Sequence, residues 1–399
     1  MTDCDRLLLH LAGVACAVAL GCGAPEAGFR DGSPRDALPE HIRPLSDLGA
    51  VARPAWSADG TRFLYLDALV GDVFEYEVAS RSARPLTRHF PHHGFTRAYY
   101  LANGDYLLCG PTSVDPADPE RGRWRADFWL LDGSLDRAAR PFGERCFEGA
   151  AVARRSMRIA WVRTEVPDRI VRARSELWTG IVDPTGDVPR IVDERKLADR
   201  SDFFLGLAML EPQDFRPPDE RELLFTAYAH RGGEAMGIDL ETGEIVNYSQ
   251  SPWYEEMEGV TPDGRFALVE REFTLRLRPS GAIDLWLLRL DGSGEFTRMT
   301  RFSEYRGFGA NNPVVHPDCR TMLHALRETG GEEGNSAGLF VYDLAASPDS
   351  PPDLCAPPFT APAAPDAPAP APAALVAPAS PEAAATAEAA GPPLAGEIR

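Results

Sequence analysis

The feature that most constrains the fold of this chain is a short turn that recurs between apolar runs. Its first instance is Asp59-Gly60, within the stretch Arg53–Arg88 (RPAWSADGTRFLYLDALVGDVFEYEVASRSARPLTR). Apolar residues follow in Arg62–Asp67, Asp72–Val78 alternates apolar and polar residues like a half-buried strand, and Arg84–Thr87 ends the unit. An Asp-Gly pair between two β-rich runs is a strong hairpin signal. The stretch therefore predicts four short antiparallel strands.

The same unit returns along the chain from about residue 42 to residue 344. An apolar run follows each first turn, and the turns are spaced by about 44 to 64 residues, which suits four-stranded propeller blades. The equivalent first turns are Asp59-Gly60, Asn103-Gly104, Arg155-Ser156, Asp219-Glu220, Asp263-Gly264 and Asp318-Cys319. Six units predict an all-β fold, a six-bladed β-propeller.

The sixth unit has no fourth strand of its own, because prolines follow Leu344. A candidate for the missing strand lies ahead of the first unit, where His41–Ser46 matches Arg84–Thr87. We expect this N-terminal strand to close the last blade, which leaves no open sheet edge in the ring. An open sandwich or two smaller β domains are the alternatives.

Several stretches resemble the repeat of the TolB-type (WD40-like) propeller. They are Pro54–Gly60 with Arg84–Thr87, Val260–Arg265 and Pro313–Asp318, and the resemblance covers about three-quarters of the chain. It implies an exported bacterial repeat protein with a propeller fold, and it says little about function. The chain lacks room for the N-terminal α/β domain of TolB, so the partners of TolB do not carry over.

The two ends of the chain predict export and disorder. Residues 1–21 resemble a signal peptide with the apolar run Leu7–Leu20, and Ala19–Cys22 resembles a lipobox that would make Cys22 a lipidated N-terminus. An ordinary cleaved signal is the alternative. Residues 22–40 read as a flexible tether, residues 41–346 as the propeller, and residues 347–399 as a disordered Ala/Pro-rich tail. We predict a lipid-anchored protein on the periplasmic side of the envelope, with the outer membrane favoured.

Composition limits the partners. The formal net charge of −19 disfavours nucleic acid and electrostatic docking on anionic lipid. We therefore predict that the membrane is reached through the lipid anchor only, that the chain is a monomer without a cofactor, and that its partner is an envelope protein or a glycan.

Four cysteines remain after the signal and Cys22 are set aside. By their positions in the repeat, Cys109 and Cys146 lie near one face of the second blade, and Cys319 and Cys355 lie near the opposite face of the sixth. Each pair can form a disulfide in an oxidising compartment. Free buried thiols are the alternative.

Two patterns point to chemistry. His89, His92 and His93 cluster in the loop between the first two blades and are candidate metal ligands, or hydrogen-bonded loop imidazoles. Gly334–Gly338 matches G-x-S-x-G, but a nucleophile elbow needs a strand before the serine and a helix after it. A polar loop precedes Ser336 and a strand follows it, so this motif is not expected to be catalytic.

Superposing the units gives the main candidate site. About seven residues before each first turn, charged or amide side chains should ring one mouth of the central channel: Arg53, Arg97, Glu148, Gln213, Glu258 and Asn312. Above this ring we expect the loops between blades, which carry Trp253, Tyr254, Tyr305 and Arg306. Aromatic rings beside paired hydrogen-bonding groups suit a peptide or a sugar. Alternatively, these side chains only hydrate a water-filled tunnel.

Two functions fit these patterns. The first is a binding or scaffold protein that presents the channel mouth and loop face to a protein or glycan. The second is a polysaccharide lyase or hydrolase that uses histidines and carboxylates at the channel mouth.

Overall fold

The computed structural model describes residues 29–45, 48, 52–113, 125–164, 174–273, 282–328 and 336–355. These residues belong to one compact unit. The predicted signal peptide, Cys22, the first part of the tether and the tail beyond residue 355 lie outside the described residues, as does the side chain of Ser336.

The described part of the chain is built from β-strands, and its only helical segments are four short 3-10 turns, at Pro34–Ala37, Arg200–Asp202, Phe204–Gly206 and Phe302–Glu304. The strands, in chain order, are β1 Ile42–Pro44, β2 Ala52–Trp56, β3 Arg62–Leu66, β4 Val73–Glu77, β5 Ser82–Pro85, β6 Arg97–Tyr100, β7 Tyr106–Pro111, β8 Ala126–Leu131, β9 Arg140–Arg145, β10 Ala150–Val152, β11 Arg158–Thr164, β12 Ser175–Asp183, β13 Arg190–Asp199, β14 Met209–Phe215, β15 Glu222–Tyr228, β16 Gly233–Asp239, β17 Ile245–Asn247, β18 Tyr254–Val260, β19 Phe266–Glu272, β20 Asp284–Arg289, β21 Phe296–Arg298, β22 Phe308–Val315, β23 Thr321–Glu328 and β24 Ser336–Asp343.

These strands form an all-β propeller of antiparallel sheets. Three sheets take four consecutive strands each, in the orders β2-β3-β4-β5, β6-β7-β8-β9 and β10-β11-β12-β13. A larger, eight-stranded sheet contains β14 to β17 and β18 to β21, and its two halves are linked by one parallel residue pair, Gly233 with Tyr254. The last sheet has the order β1-β24-β23-β22.

The predicted closing strand is confirmed. β1 pairs antiparallel with β24, and its register places Ile42 opposite Tyr342 and Pro44 opposite Phe340. The first strand of the propeller thus completes the last sheet, so the edge of β24 is paired instead of open.

The Asp-Gly turns recur because neighbouring sheets pack against them. In the first turn, the Asp59 carboxylate accepts hydrogen bonds from the backbone N–H and hydroxyl of Thr61, at 2.9 and 2.8 Å. Gly60 has φ +70°, and a Cβ there would lie 2.2 Å from the His316 ring of the last sheet. Gly264 repeats this arrangement, with φ +70° and a Cβ position 2.1 Å from the Pro217 carbonyl oxygen. A Cβ at either position would collide with the neighbouring sheet, so these two turns require glycine.

The core lies between neighbouring sheets. Leu64, Leu66 and Val73 of the first sheet are buried against Phe95 and Leu108 in one apolar cluster. Similar clusters fill the other spaces between sheets, so each sheet buries apolar side chains on its faces.

Both candidate cysteine pairs are joined in the structure. Cys109 is bonded to Cys146 and Cys319 to Cys355, with Cα atoms 5.9 and 6.0 Å apart. The second bond ties the segment after β24 to the turn between β22 and β23. None of the described helical segments has the length and apolar character needed to cross a membrane.

Candidate functional site: a carboxyl-lined cavity in the channel

The innermost strands β2, β6, β10, β14, β18 and β22 surround a cavity of about 700 Å³ in the central channel. Its wall contains all six residues that the sequence placed in a ring: Arg53, Arg97, Glu148, Gln213, Glu258 and Asn312. The cavity opens towards the first turns, since residues of those turns such as Ala58, Asp263 and Pro317 also line it.

β-Bulges create most of this ring. In four of the six inner strands the pairing with the neighbouring strand is interrupted: between Ala52 and Ala55, between Pro212 and Asp214, between Met257 and Gly259, and between Asn311 and Val314. The ring positions of these four strands fall inside the interruptions, and Arg53 and Asn312 have φ of 59° and 50°. A bulge adds a residue that leaves the ladder and re-aims its side chain. The bulges therefore turn these positions towards the channel.

The loop residues predicted to lie above the ring are not part of the cavity. Trp253 packs edge-on against Phe273, with ring centroids 5.9 Å apart, while Tyr254 and Tyr305 are buried. The guanidinium of Arg306 lies 4.5 Å from the ring centre of Phe29. Trp253 and Tyr254 lie at the start of β18, and Tyr305 and Arg306 precede β22, while the opposite ends of these two strands line the cavity. This corrects the expectation that they share one binding site with the ring.

Three glutamates in the cavity wall interact with two more beside them, and we call the five the channel cluster: Glu148, Glu211 and Glu258 in the wall, with Glu256 and Glu270 beside them. The sequence predicted Glu148 and Glu258 but missed the other three. The available signal was position, because Glu211 and Glu256 lie two residues ahead of Gln213 and Glu258. Glu270 lies directly opposite Glu256 on the neighbouring strand β19.

Hydrogen bonds fix the orientation of this cluster. Arg97 donates to Glu148 over 3.0 Å, and the Tyr228 hydroxyl donates to Oε2 of Glu211 over 2.7 Å. The Tyr254 hydroxyl donates to Glu256. The backbone N–H of Asn312, at its bulge, donates to Glu270 over 2.8 Å.

The cluster favours protonated carboxyl groups. Burial raises the pKa of Glu211 and of Glu258 well above the ordinary range, with neighbouring carboxyls adding to the effect. Burial also raises the pKa of Glu256, and raises that of Glu270 to about 8. Arg97 opposes these shifts at Glu211, Glu256 and Glu258 but does not cancel them. Several of these glutamates therefore hold a proton at neutral pH instead of a negative charge.

Among the residues that the structure describes, one group of three potential metal ligands gathers its ligand atoms. These are carboxyl oxygens of Glu256, Glu258 and Glu270, all within 4.8 Å of one another. Oxygen ligands of this kind suit hard cations such as Mg²⁺ or Ca²⁺. Any such ion would have to displace the protons that the burial of these groups favours.

The three histidines are not brought together as a metal site. The Nε2 atom of His92 lies 3.0 Å from Asp72, and its Nδ1 accepts a hydrogen bond from the Gly94 N–H at 2.9 Å. The ring of His89 lies 3.3 Å from the Arg137 carbonyl oxygen, and His93 is exposed. Because both nitrogens of His92 already have partners, this loop matches the alternative of hydrogen-bonded imidazoles, and the metal expectation is corrected.

A bidentate ion pair stiffens another part of the wall. Arg154 donates to both carboxylate oxygens of Asp214, over 2.9 and 2.7 Å, and its backbone N–H donates to Glu220 over 2.7 Å. All three residues line the cavity. Because Arg154 and Asp214 form an ion pair and Glu220 accepts from the Arg154 backbone, these groups stabilise the wall and are not offered to a ligand.

No family model and no curated protein matches this chain. Solved structures similar to it include a gluconolactonase from Xanthomonas campestris (13% identity, 76% of this chain and 89% of that chain, TM-score 0.48). An oligogalacturonate lyase in complex with manganese is also similar (11% identity, 79% of this chain and 94% of that chain, TM-score 0.44). TolB from Acinetobacter baumannii is similar as well (10% identity, 76% of this chain and 55% of that chain, TM-score 0.31). At these identities and TM-scores the similarity is limited to the fold and does not identify the function of this chain.

Proposed function

We propose that this protein is a binding protein of the bacterial envelope that holds a protein segment or a glycan in its channel cavity. The observation that carries this proposal is the convergence of one polar side chain from each of six repeat units on one cavity of about 700 Å³. A volume of this size, with apolar walls and a few placed polar groups, is typical of ligand sites. Export and anchoring through Cys22 are part of the same proposal and are supported by the sequence of residues 1–22.

The count of six blades belongs to this proposal as well. We treat the eight-stranded sheet as two blades, because a single pair, Gly233 with Tyr254, joins its halves. Each half then has the strand order of the other blades and contributes one innermost strand to the cavity.

A screen with defined probes tests the binding function. Short peptides and neutral, acidic and amino oligosaccharides are added to the purified chain, and binding is measured by thermal shift and calorimetry. A cavity ligand at 100 times its Kd should stabilise the fold by about 2.7 kcal/mol. Gln213→Ala, in the cavity wall, should weaken binding about fivefold, as expected for one lost hydrogen bond. Arg221→Ala is the matched control, since Arg221 pairs with Glu241 on the exposed surface. Failure of all probes to bind, or equal loss in both variants, would contradict the proposal.

The channel cluster favours an enzyme as the second candidate. Glu211 and Glu258 line the cavity and have raised pKa values, so each can offer a proton to a substrate at neutral pH. A polysaccharide lyase or hydrolase would use such a group as its acid, in place of the histidines that the sequence suggested. Cleavage of an oligosaccharide by the wild type, abolished in Glu258→Gln, would favour this candidate over simple binding.

A further inference from the structure

The two ends of the cavity differ in charge. Arg155 and Arg265 line its rim beside the first turns, and both are exposed. At the inner end the wall is formed by Glu211 and Glu258 of the innermost strands β14 and β18. A ligand that enters from the first turns therefore passes basic side chains before it reaches carboxyl groups.

The inner end has more acidic than basic groups. The titratable and charged side chains that act on Glu211 or Glu258 from the surrounding strands are Arg97, Glu148, Tyr99, Tyr228, Tyr254, Glu256 and Glu270, and Arg327 acts on Glu270. Arg97 is already bonded to Glu148. An ammonium group that enters here would displace a proton from the cluster and become the positive partner of the carboxylate that remains.

Glu211 lines the cavity, and one of its two carboxyl oxygens has no hydrogen-bond donor among the described residues. The residue is only 8% exposed. Its Oε2 accepts from Tyr228, whereas among the described residues no donor bonds its Oε1. Buried carboxyl oxygens normally have a hydrogen-bond partner, so this atom is a binding position for a donor carried by a ligand.

We infer that the cavity binds the protonated amino terminus of a peptide, with the ammonium group held between Glu211 and Glu258. An ammonium group offers three donors and one positive charge, so it can replace the proton that the two carboxyls otherwise hold and can donate to both of them. The remaining wall favours a peptide, because Pro54, Pro212 and Leu268 provide apolar surface for side chains. This inference rests on the proposed binding function and narrows it to one ligand class.

The matched ligands for the test are tetra-alanine amide with a free amino terminus and the same peptide acetylated at its amino terminus. Calorimetry at pH 7 with the full chain should show binding of the free peptide. Acetylation removes the charge and two donors, so the acetylated peptide should bind about 10- to 100-fold more weakly, the loss expected for a charged hydrogen bond.

Protein variants locate the effect. Glu211→Gln and Glu258→Gln keep the side-chain volume and should each lower the affinity for the free peptide about tenfold, a larger loss than either variant causes for the acetylated peptide. Glu241→Gln is the control, because Glu241 is exposed and is not among the residues that line the cavity, and it should change neither affinity. Circular dichroism establishes that each variant is folded.

The outcomes separate this inference from the binding function. Equal binding of both peptides would overturn the amino-terminal inference and leave the binding function in place. Amine-dependent binding of a glucosamine trimer, with no binding of either peptide, would overturn the peptide assignment alone. If no probe of any class bound, both the inference and the proposed function would fall.

Discussion

Two buried groups of carboxyls sit on neighbouring parts of the propeller, and only one of them has access to a ligand. The channel cluster borders a cavity, and its member Glu211 exposes an acceptor to that cavity. The second group lies where β16 meets β18, and we call it the joint cluster. It consists of Glu234, Glu255, Ser249, Ser251 and Arg271. Both of its glutamates are fully buried. Burial is therefore shared by the two groups, and access to a cavity is what distinguishes a candidate binding site.

The joint cluster connects the two halves of the eight-stranded sheet. Glu234 accepts from the hydroxyl of Ser249 at 2.6 Å and from the backbone N–H of Ser251 at 3.2 Å. Glu255 accepts from the hydroxyl of Ser251 at 2.6 Å and from Arg271 at 2.9 Å. One oxygen of each glutamate has no partner among the described residues. Ser251 therefore joins the two carboxyls, through its backbone N–H to Glu234 and its hydroxyl to Glu255.

The largest effect is expected from removing the cation of the joint cluster. Arg271→Leu leaves Glu255 buried without its ion pair, and loss of one partner of a buried pair costs about 3 to 5 kcal/mol. The change also removes the stacking of Arg271 on Phe296, whose ring centre lies 3.8 Å from the guanidinium carbon. Urea unfolding measures the loss. The control Arg221→Leu breaks an exposed ion pair and should lower the free energy of unfolding by less than about 1 kcal/mol. Similar losses of stability in the two variants would show that the joint cluster is not a stabilising element.

The sequence predicted the turns and the closing strand because both depend on local signals. Asp59-Gly60 and its equivalents are required by turn geometry, and the match of His41–Ser46 with Arg84–Thr87 carries the pairing of β1. The channel cluster was only partly predictable. Glu211, Glu256 and Glu270 belong to it through the position of bulges and the pairing of β18 with β19, which no single-strand pattern reveals.

The direction of the cavity was not predictable either. The repeat locates the ring along each innermost strand, but it does not show at which end the channel is open. Tyr254 was expected at the open mouth, whereas the packing of its ring beside Tyr228, with centroids 6.1 Å apart, buries it. Such packing depends on contacts between sheets, which the sequence of one unit does not contain.

The second effect is a pH dependence of stability from the joint cluster. Burial raises the pKa of Glu255 to about 7, so the folded chain binds a proton there that the unfolded chain releases near pH 4.3. The stability that this proton contributes is complete below the unfolded pKa and is lost as the pH rises through the folded value. The loss between pH 5 and pH 9 should be about 3 kcal/mol, at about 1.4 kcal/mol for each pKa unit. Unfolding curves of Glu255→Gln should have a flatter pH profile than those of the wild type, and an unchanged profile would contradict the assignment.

The smallest effect is expected from the equivalent change in the channel cluster. Glu258→Gln also removes a carboxyl with a raised pKa, and the sign is the same, so the variant should gain stability relative to the wild type as the pH rises towards 9. The gain should be about 1 kcal/mol, a shift of roughly 2–4 °C in melting temperature, because Glu258 borders the cavity, where its ionised form can be solvated, whereas Glu255 is fully buried. Differential scanning calorimetry at pH 6 and pH 9 measures it, with the exposed Glu241→Gln as the unchanged control. A gain as large as that of Glu255→Gln would mean that the cavity gives no solvation to its carboxyls, and the distinction between the open and the sealed cluster would then fail.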